Sequence, residues 1–191
     1  LLFPFMLPLI LILKFTGEGE IFFQQSRIGY KNKEITVLKF ATMLKNSPST
    51  GTITAENDSR ILPLGKFLRK TKINELPQLI NVFTGSLSIV GPRPLTQEAF
   101  NLYPDDLIPF VYESKVGITG IGSIVFRNEE VILANSNKPI QECYRDDIMP
   151  YKGALEIWYL ENRSFFTDIK IIILTVVSII KPSSQLHNYW F

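Results

Sequence analysis

Residues 1–13, Leu-Leu-Phe-Pro-Phe-Met-Leu-Pro-Leu-Ile-Leu-Ile-Leu, carry no charge. As a helix this run would extend about 20 Å, short of the roughly 30 Å hydrocarbon core of a bilayer, so it cannot cross a membrane alone. Pro4 and Pro8 would break or bend such a helix. No basic stretch comes before the run and no small-residue cleavage site lies ahead of Lys14, which argues against a secretory signal. The chain starts with Leu rather than Met, and the expectation is that further residues precede it. Two arrangements fit the run: a re-entrant or interfacial membrane segment, and a buried core helix. Apolarity on every side at the start of a chain argues for the first.

Positive charge follows at once. The chain carries +2 overall, but residues 14–72 alone carry +6 and the remainder −4. A basic block beside an apolar segment suits an anionic membrane surface; a solvated face is the alternative. With 191 residues, 46% of them apolar, the chain is long enough for one domain with a core and too apolar for disorder. A single cysteine, Cys143, excludes an internal disulfide framework and cysteine-based zinc sites. A single histidine, His187, excludes paired-histidine metal sites, and its place near the end argues against a Ser-His-Asp triad. Phosphate and carboxylate chemistry remain.

Residues 20–25 and 34–40 read as strands joined by a turn over Arg27–Lys33, with Gly29 expected at a positive φ. Residues 45–57 read as a loop. Helices are expected over 60–70 and 75–84, a rigid turn over 88–94, and a helical stretch over 95–113 broken at Pro104 and Pro109. Gly117, Gly120 and Gly122 mark a loop, and 128–149 and 151–163 read as mostly helical. Over 165–181 the polar residues Asp168, Lys170, Thr175, Ser178 and Lys181 fall within about 160° of one helical face. Such a helix fits a membrane interface or a large core. Asp105-Asp106 and Asp146-Asp147 read as solvated pairs, Cys143 as a small helix residue, and His187 as incidental. Trp158, Tyr159, Tyr189 and Trp190 suit a membrane interface, with core packing the alternative for the first two.

The densest constellation runs from Arg69 to Pro94. Asn74 fits an N-cap, with Glu75 and Pro77 in the first turn. The free N–H groups and positive end of such a helix favour phosphate, and Arg69, Lys70 and Lys72 precede it. Arg93 stands between two prolines that pre-set its backbone, which suits bidentate phosphate binding. Glu75 among these cations is a candidate Mg²⁺ ligand, because Mg²⁺ takes one or two carboxylates plus substrate phosphates. The plainer alternative is a capped surface helix with ordinary salt bridges.

Several stretches together resemble the bacterial sugar transferase family, the small monotopic phosphoglycosyl transferases. Asn74-Glu75-Leu76-Pro77-Gln78-Leu79-Ile80-Asn81-Val82 and Val90-Gly91-Pro92-Arg93-Pro94 resemble its signature, an Asp-Glu dyad followed by Leu-Pro-Gln-Leu-x-Asn-Val and then Val-Gly-Pro-Arg-Pro. Phe22–Gly29 and Leu38–Met43 resemble its hairpin. Asp58-Ser59-Arg60 and Gly65–Thr71 resemble its next motif, Val116–Gly120 its Pro-Gly-Ile-Thr-Gly loop, and Trp158–Ser164 with Asp168-Ile169-Lys170 its C-terminal helices. The likeness covers nearly the whole chain.

The resemblance implies an α+β, mainly helical fold with a small hairpin. It implies a monotopic protein whose proline-broken N-terminal helix enters one leaflet and returns, with Pro4 at the break and the first half of that helix absent. Residues 1–16 would be the membrane-associated part. Residues 17–191, including an interfacial helix over 165–181, would be the catalytic domain on the cytoplasmic face of the bacterial inner membrane. The implied reaction moves a phosphosugar from a UDP-sugar to undecaprenyl phosphate, releasing UMP, with Mg²⁺ as cofactor and membrane lipids as surroundings, as the first membrane step of a polysaccharide or glycoconjugate pathway. No nucleic acid is implied. Asn74 and Glu75 would be catalytic, Glu75 the metal ligand, and Arg93, Arg69, Lys39 and Arg60 the phosphate or nucleotide contacts.

Three departures stand out. Asn74 occupies the position of the dyad Asp, which in the family attacks the β-phosphorus and carries the phosphosugar covalently. Either Glu75 works as nucleophile or as base for direct attack by the lipid phosphate, or activity is lost, or Asn74 deamidates. Loss of activity would leave a silent membrane-bound homologue that binds nucleotide-sugar or a partner enzyme. Ala41 replaces a basic residue, and Ile121-Gly122-Ser123 replaces Trp-Ala-Gln, a change in a loop that would contact sugar or nucleotide.

Overall fold

The computed structural model describes residues 3–50 and 58–181. The fold is α+β, with helices dominant. Strands β1 (Phe22–Ile28) and β2 (Glu34–Phe40) pair antiparallel, from Phe22 opposite Phe40 to Ile28 opposite Glu34. Exposure alternates along β1 at the two-residue period of a half-buried strand, and Phe22 stacks on Phe40 with ring centroids 5.5 Å apart. The connecting turn corrects one expectation. Gly29 has φ −124°, and the left-handed residues are Lys31 (φ 55°) and Asn32 (φ 58°). Glycine matters at 29 for space: a Cβ there would stand 3.0 Å from the Ile35 side chain.

Helix α1 (Phe3–Phe15) passes through Pro8, so the expected break there does not occur. The proline removes one hydrogen bond near the helix start, and packing of one face holds the rest. Met6, Leu9, Ile10 and buried Leu13 pack with Phe40 and Leu68, while Leu7, Leu11, Ile12 and Phe15 on the other face are exposed. Helix α2 (Pro63–Lys70) opens on a proline, where a missing N–H costs nothing.

The chain then turns back at Lys72, which is left-handed at φ 58°, and enters a 3₁₀ turn over Ile73–Glu75. Helix α3 (Gln78–Phe83) begins only after Pro77. Asn74 is therefore no N-cap: it lies inside the 3₁₀ turn, buried. Pro77, which lacks an N–H, suits a helix start, and α3 begins directly after it.

Strand β3 (Ser88–Val90) pairs in parallel with β4 (Gly117–Thr119), replacing the turn and loop expected there. Between them run α4 (Gln97–Phe100), capped by Thr96, and α5 (Ile108–Val111). Pro109 stands in the first turn of α5 rather than breaking a helix. Helices α6 (Ile121–Val125), α7 (Glu129–Ala134) and α8 (Ile140–Cys143) follow. A π turn over Tyr144–Ile148 leads into α9 (Met149–Glu161). Helix α10 (Phe165–Ile180) is capped by Ser164, which accepts the Thr167 N–H at 3.1 Å.

The main core gathers Val37, Leu87, Val111, Tyr112, Val116, Ile148 and Met149, with Cys143 among them. A second cluster packs α10, through Ile171 and Leu174, against Val90, Ile121, Ile124 and Tyr159. Tyr159 is a core residue, its hydroxyl donating to Asp168 at 2.7 Å. Part of the polar face of α10 turns inward: Thr175 pairs with Thr119 and Ser178 accepts from Arg127, while Lys170 and Lys181 stay exposed. Phe165, Phe166, Ile173, Val176 and Ile180 form an exposed apolar stripe. Among the described residues no helix is long and apolar enough to cross a membrane.

Candidate active site

The 3₁₀ turn after α2 carries Glu75 into the protein, where its side chain is 11% exposed. A buried carboxylate needs a cation, and Arg93 supplies it, with Nη2 3.1 Å from Glu75 Oε1. Burial alone would raise the Glu75 carboxyl. The charges of Arg93, Lys72 and Lys39, with the Arg93 hydrogen bond, hold it instead well below the usual carboxylate range. Glu75 is therefore ionised at any physiological pH.

Arg93 is fixed by its backbone. Gly91 N–H donates to Thr119 O at 2.9 Å and Gly117 N–H to Pro92 O at 2.8 Å. The two strands approach so closely here that a Cβ on Gly91 would collide with the Lys115 carbonyl, and one on Gly117 with the Gly91 nitrogen. Arg27 Nη1 donates to Pro94 O at 3.2 Å, and the Tyr112 hydroxyl to Arg93 O at 3.4 Å. Below this crossing lies Glu156 on α9, 4% exposed. Its Oε2 is buried with no hydrogen-bond partner among the described residues, and burial pushes its carboxyl up to about 7 against the pull of Lys152 and of the nearby backbone N–H groups of Gly122 and Arg93.

The hairpin brings two further cations. Arg27 Nη2 and Lys39 Nζ both donate to Gln25 Oε1, at 2.6 and 3.3 Å. Burial, with Arg27 nearby, holds the Lys39 ammonium well below the usual lysine range, and burial lowers Lys72 likewise. An arriving phosphate would restore the charged form of both. Arg69, on the last turn of α2, adds its field to Lys39 and Lys72 and points a guanidinium nitrogen at Met43 Sδ, 4.0 Å away. Arg60 is not brought to this cluster. Its Nε lies 2.9 Å from Asp58 Oδ1, and its Nη1 donates to Ser47 O at 3.1 Å, so it ties Ser47 to Asp58.

A cleft of about 190 Å³ opens beside the ion pair. Lys72, Glu75 and Arg93 line it together with the hydroxyl-bearing Thr119, Ser123, Thr175 and Ser178, with Arg127, and with apolar Leu76, Leu79, Ile118, Ile124 and Ile179. Asn74 is 7% exposed, and its Oδ1 is buried with no hydrogen-bond partner among the described residues.

A single carboxylate is the least that a Mg²⁺ site can use. Among the described residues no cluster of three or more His, Cys, Asp or Glu could hold a metal, but Glu75 offers one ionised carboxylate, and substrate phosphates supply the other hard oxygens Mg²⁺ requires. Asp105 and Asp106 are exposed, and Asp147 and Asp146 pair with Lys138 and Arg145 at the surface. His187, Tyr189 and Trp190 lie outside the described residues.

Sequence reasoning did not single out Arg27, Arg127 or Glu156. For Glu156 a signal existed: Met149, Lys152, Gly153, Glu156 and Tyr159 follow helical spacing, and all are buried. Two charged residues thus sit on an apolar helix face.

The chain matches, over residues 1–182, the family model described as bacterial sugar transferase. It is 37% identical over 167 residues to the uncharacterized sugar transferase EpsL of Bacillus subtilis (strain 168), covering 87% of this chain and 73% of that protein. It is 35% identical over 185 residues to UDP-glucose:undecaprenyl-phosphate glucose-1-phosphate transferase of Xanthomonas campestris pv. campestris, covering 94% of this chain and 35% of that protein. With UDP-N-acetylgalactosamine-undecaprenyl-phosphate N-acetylgalactosaminephosphotransferase of Aeromonas hydrophila it shares 32% over 183 residues, 93% of this chain and 39% of that protein. Every element from α1 to α10 falls inside the matched range, and on that match the chain belongs to the bacterial sugar transferase family, a family of sugar-phosphate transferases.

Proposed function

We propose that this chain transfers a phosphosugar from a UDP-sugar to undecaprenyl phosphate, releasing UMP, at the cytoplasmic face of a bacterial inner membrane. The observation that carries the reading is the single ionised carboxylate, Glu75, held by Arg93 beside Lys72 and Lys39 at the head of a cleft. Positive charge fixed in advance around a transferring phosphoryl group is what such chemistry needs most. The names of the Xanthomonas and Aeromonas relatives supply the donor and acceptor classes.

The residues favour direct displacement. Asn74 bears a neutral amide, a poor nucleophile, and Glu75 is committed to Arg93. So strongly stabilised a carboxylate is also a weak base. No base is required, because a phosphate monoester has its second pKa near about 6 and is largely dianionic at neutral pH. One oxygen of the lipid phosphate forms a bond to the β-phosphorus of the UDP-sugar. The bond from that phosphorus to the bridging oxygen breaks, and its electron pair leaves with UMP. Arg93 holds the transferring group, Lys72 and Lys39 draw charge from its oxygens, and Glu75 orients Arg93. Bound at Glu75 and the substrate phosphates, Mg²⁺ would supply further neutralisation of negative charge.

The exposed outer face of α1 and the apolar stripe of α10 support attachment to one leaflet, since contiguous exposed apolar surface of this kind is rare on proteins that meet only water. The decisive experiment incubates the protein in lipid or detergent with UDP-sugars and undecaprenyl phosphate and measures UMP. The buried amide of Asn74 favours one rival, a silent homologue that binds nucleotide-sugar. UDP-sugar binding without UMP release would establish the rival.

A further inference from the structure

Direct displacement brings two phosphates into one cleft, and Arg93 with its partners answers for one of them. A second cation borders the same cavity. Arg127 follows α6 and lines the cleft with Lys72, Glu75 and Arg93. Its guanidinium is held only by neutral oxygens: Nη1 donates to Ser178 Oγ on α10 at 3.1 Å, and Nη2 to the Lys70 carbonyl at the end of α2 at 3.4 Å. Among the described residues it has no carboxylate partner. Partial burial without a counter-charge lowers its pKa. Five N–H donors and two such contacts leave donors for a ligand. Lys72 lies within the fields of both Arg127 and Arg93, so the three cations act on one space. In the same cleft, Ser123 Oγ is buried with no hydrogen-bond partner among the described residues. An uncompensated guanidinium and an orphaned hydroxyl facing one cavity specify an anion with acceptor oxygens.

We propose that Arg127 and Ser123, with Lys72 beside them, form a second phosphate subsite that holds the phosphate monoester of the lipid acceptor. The apolar residues decide between lipid and nucleotide. Ile118, Ile124 and Ile179 line the same cleft, and Ile179 lies on α10, the helix whose outer stripe is exposed and apolar. A phosphate joined to a hydrocarbon chain fits such surroundings better than one joined to ribose. The assignment rests on the reading of function above.

The test measures UMP release in Arg127→Gln and Arg127→Lys, varying polyprenyl phosphate at fixed UDP-sugar and then the reverse. The expected result is a KM for the acceptor raised by about tenfold or more in the Gln variant, the size that loss of a charged hydrogen-bonding group implies. The KM for UDP-sugar should be unchanged, and Lys, which keeps the charge and loses the planar fork, should rescue in part. An unchanged acceptor KM in either folded variant overturns the subsite. A raised UDP-sugar KM overturns its assignment to the acceptor. Because Arg127 joins three elements, the Gln variant can fail to fold, and the Lys variant and Ser123→Ala then carry the same measurement. Should wild type release no UMP, the proposed function fails by itself. The subsite is then read by titrating a short-chain polyprenyl phosphate into wild type and Arg127→Lys: weaker binding in the variant supports it, and equal binding overturns it.

Discussion

Glu156→Gln is expected to stabilise the protein above neutral pH. The carboxyl of Glu156 is 4% exposed and is pushed from 4.5 to about 7 by burial. The folded protein thus holds this proton more tightly than the unfolded chain. Below the unfolded value both states carry it and nothing is lost. As pH rises from 4.5 toward 7, the unfolded chain gives up its proton first and stability falls; above the folded value the whole cost of a buried anion is present. At about 1.4 kcal/mol per tenfold, that cost is about 3 kcal/mol. Glutamine mimics the protonated acid, and it never ionises. Wild type and variant should unfold alike near pH 5 and diverge above it, the variant leading by up to about 3 kcal/mol at pH 8, or on the order of 6–12 °C in Tm for a chain of this size. Circular dichroism melts in mild detergent, taken at half-unit pH steps, read the difference. Parallel curves across the whole range would show that Glu156 does not ionise at the cost described.

Four further outcomes follow from the same geometry. Arg93→Lys keeps a charge against Glu75 but loses the fork, and should lower kcat/KM for UMP release by about tenfold or more with an unchanged melt; full activity would make the arginine idle. Gly91→Ala should destabilise by more than about 1 kcal/mol, because its methyl meets the Lys115 carbonyl where strands cross; a wild-type melt would refute the close approach. Asn74→Asp puts a carboxylate in the dyad position: with acceptor withheld, intact-protein mass spectrometry should find a phosphosugar adduct in the variant and none in wild type, and an adduct in wild type would refute direct displacement. The protein should float with anionic vesicles in a sucrose gradient, and recovery in the lipid-free fractions would remove the case for leaflet attachment.

What could be read from the sequence was what depends on local periodicity. The hairpin followed from alternation, α10 from its helical spacing, and the Arg69–Pro94 cluster from its density of charge. What depends on chain crossings could not. The polar stripe of α10 was visible, but only the partners Thr119 and Arg127, some 50 residues away, show that its Thr175 and Ser178 face inward. Arg60 and Arg93 look alike as motif arginines, yet Asp58, two residues away, occupies one of them. Asn74 looked like a cap because Glu75 and Pro77 follow it; the left-handed residue Lys72 instead leads into a 3₁₀ turn, and the helix starts only after Pro77. Parallel pairing of β3 with β4 joins residues 29 apart in sequence, Ser88 with Gly117, and no short window contains both.

The inward-facing residues of α10 are also the last of the cleft to be synthesised. Glu75, Arg93 and the hairpin cations all lie within the first half of the chain, and Thr119 and Arg127 come soon after. The last wall, Thr175 and Ser178, is made only when the final described helix has left the ribosome. Until then Val90, Ile121 and Ile124 lack the Ile171 and Leu174 that cover them. Both members of the charged ion pair are therefore synthesised before the residues that complete the cleft. Loop-closure entropy makes such distant contacts slow to form, and the docking of α10 adds the Thr175, Ser178 and Ile179 that complete the lining of the cleft.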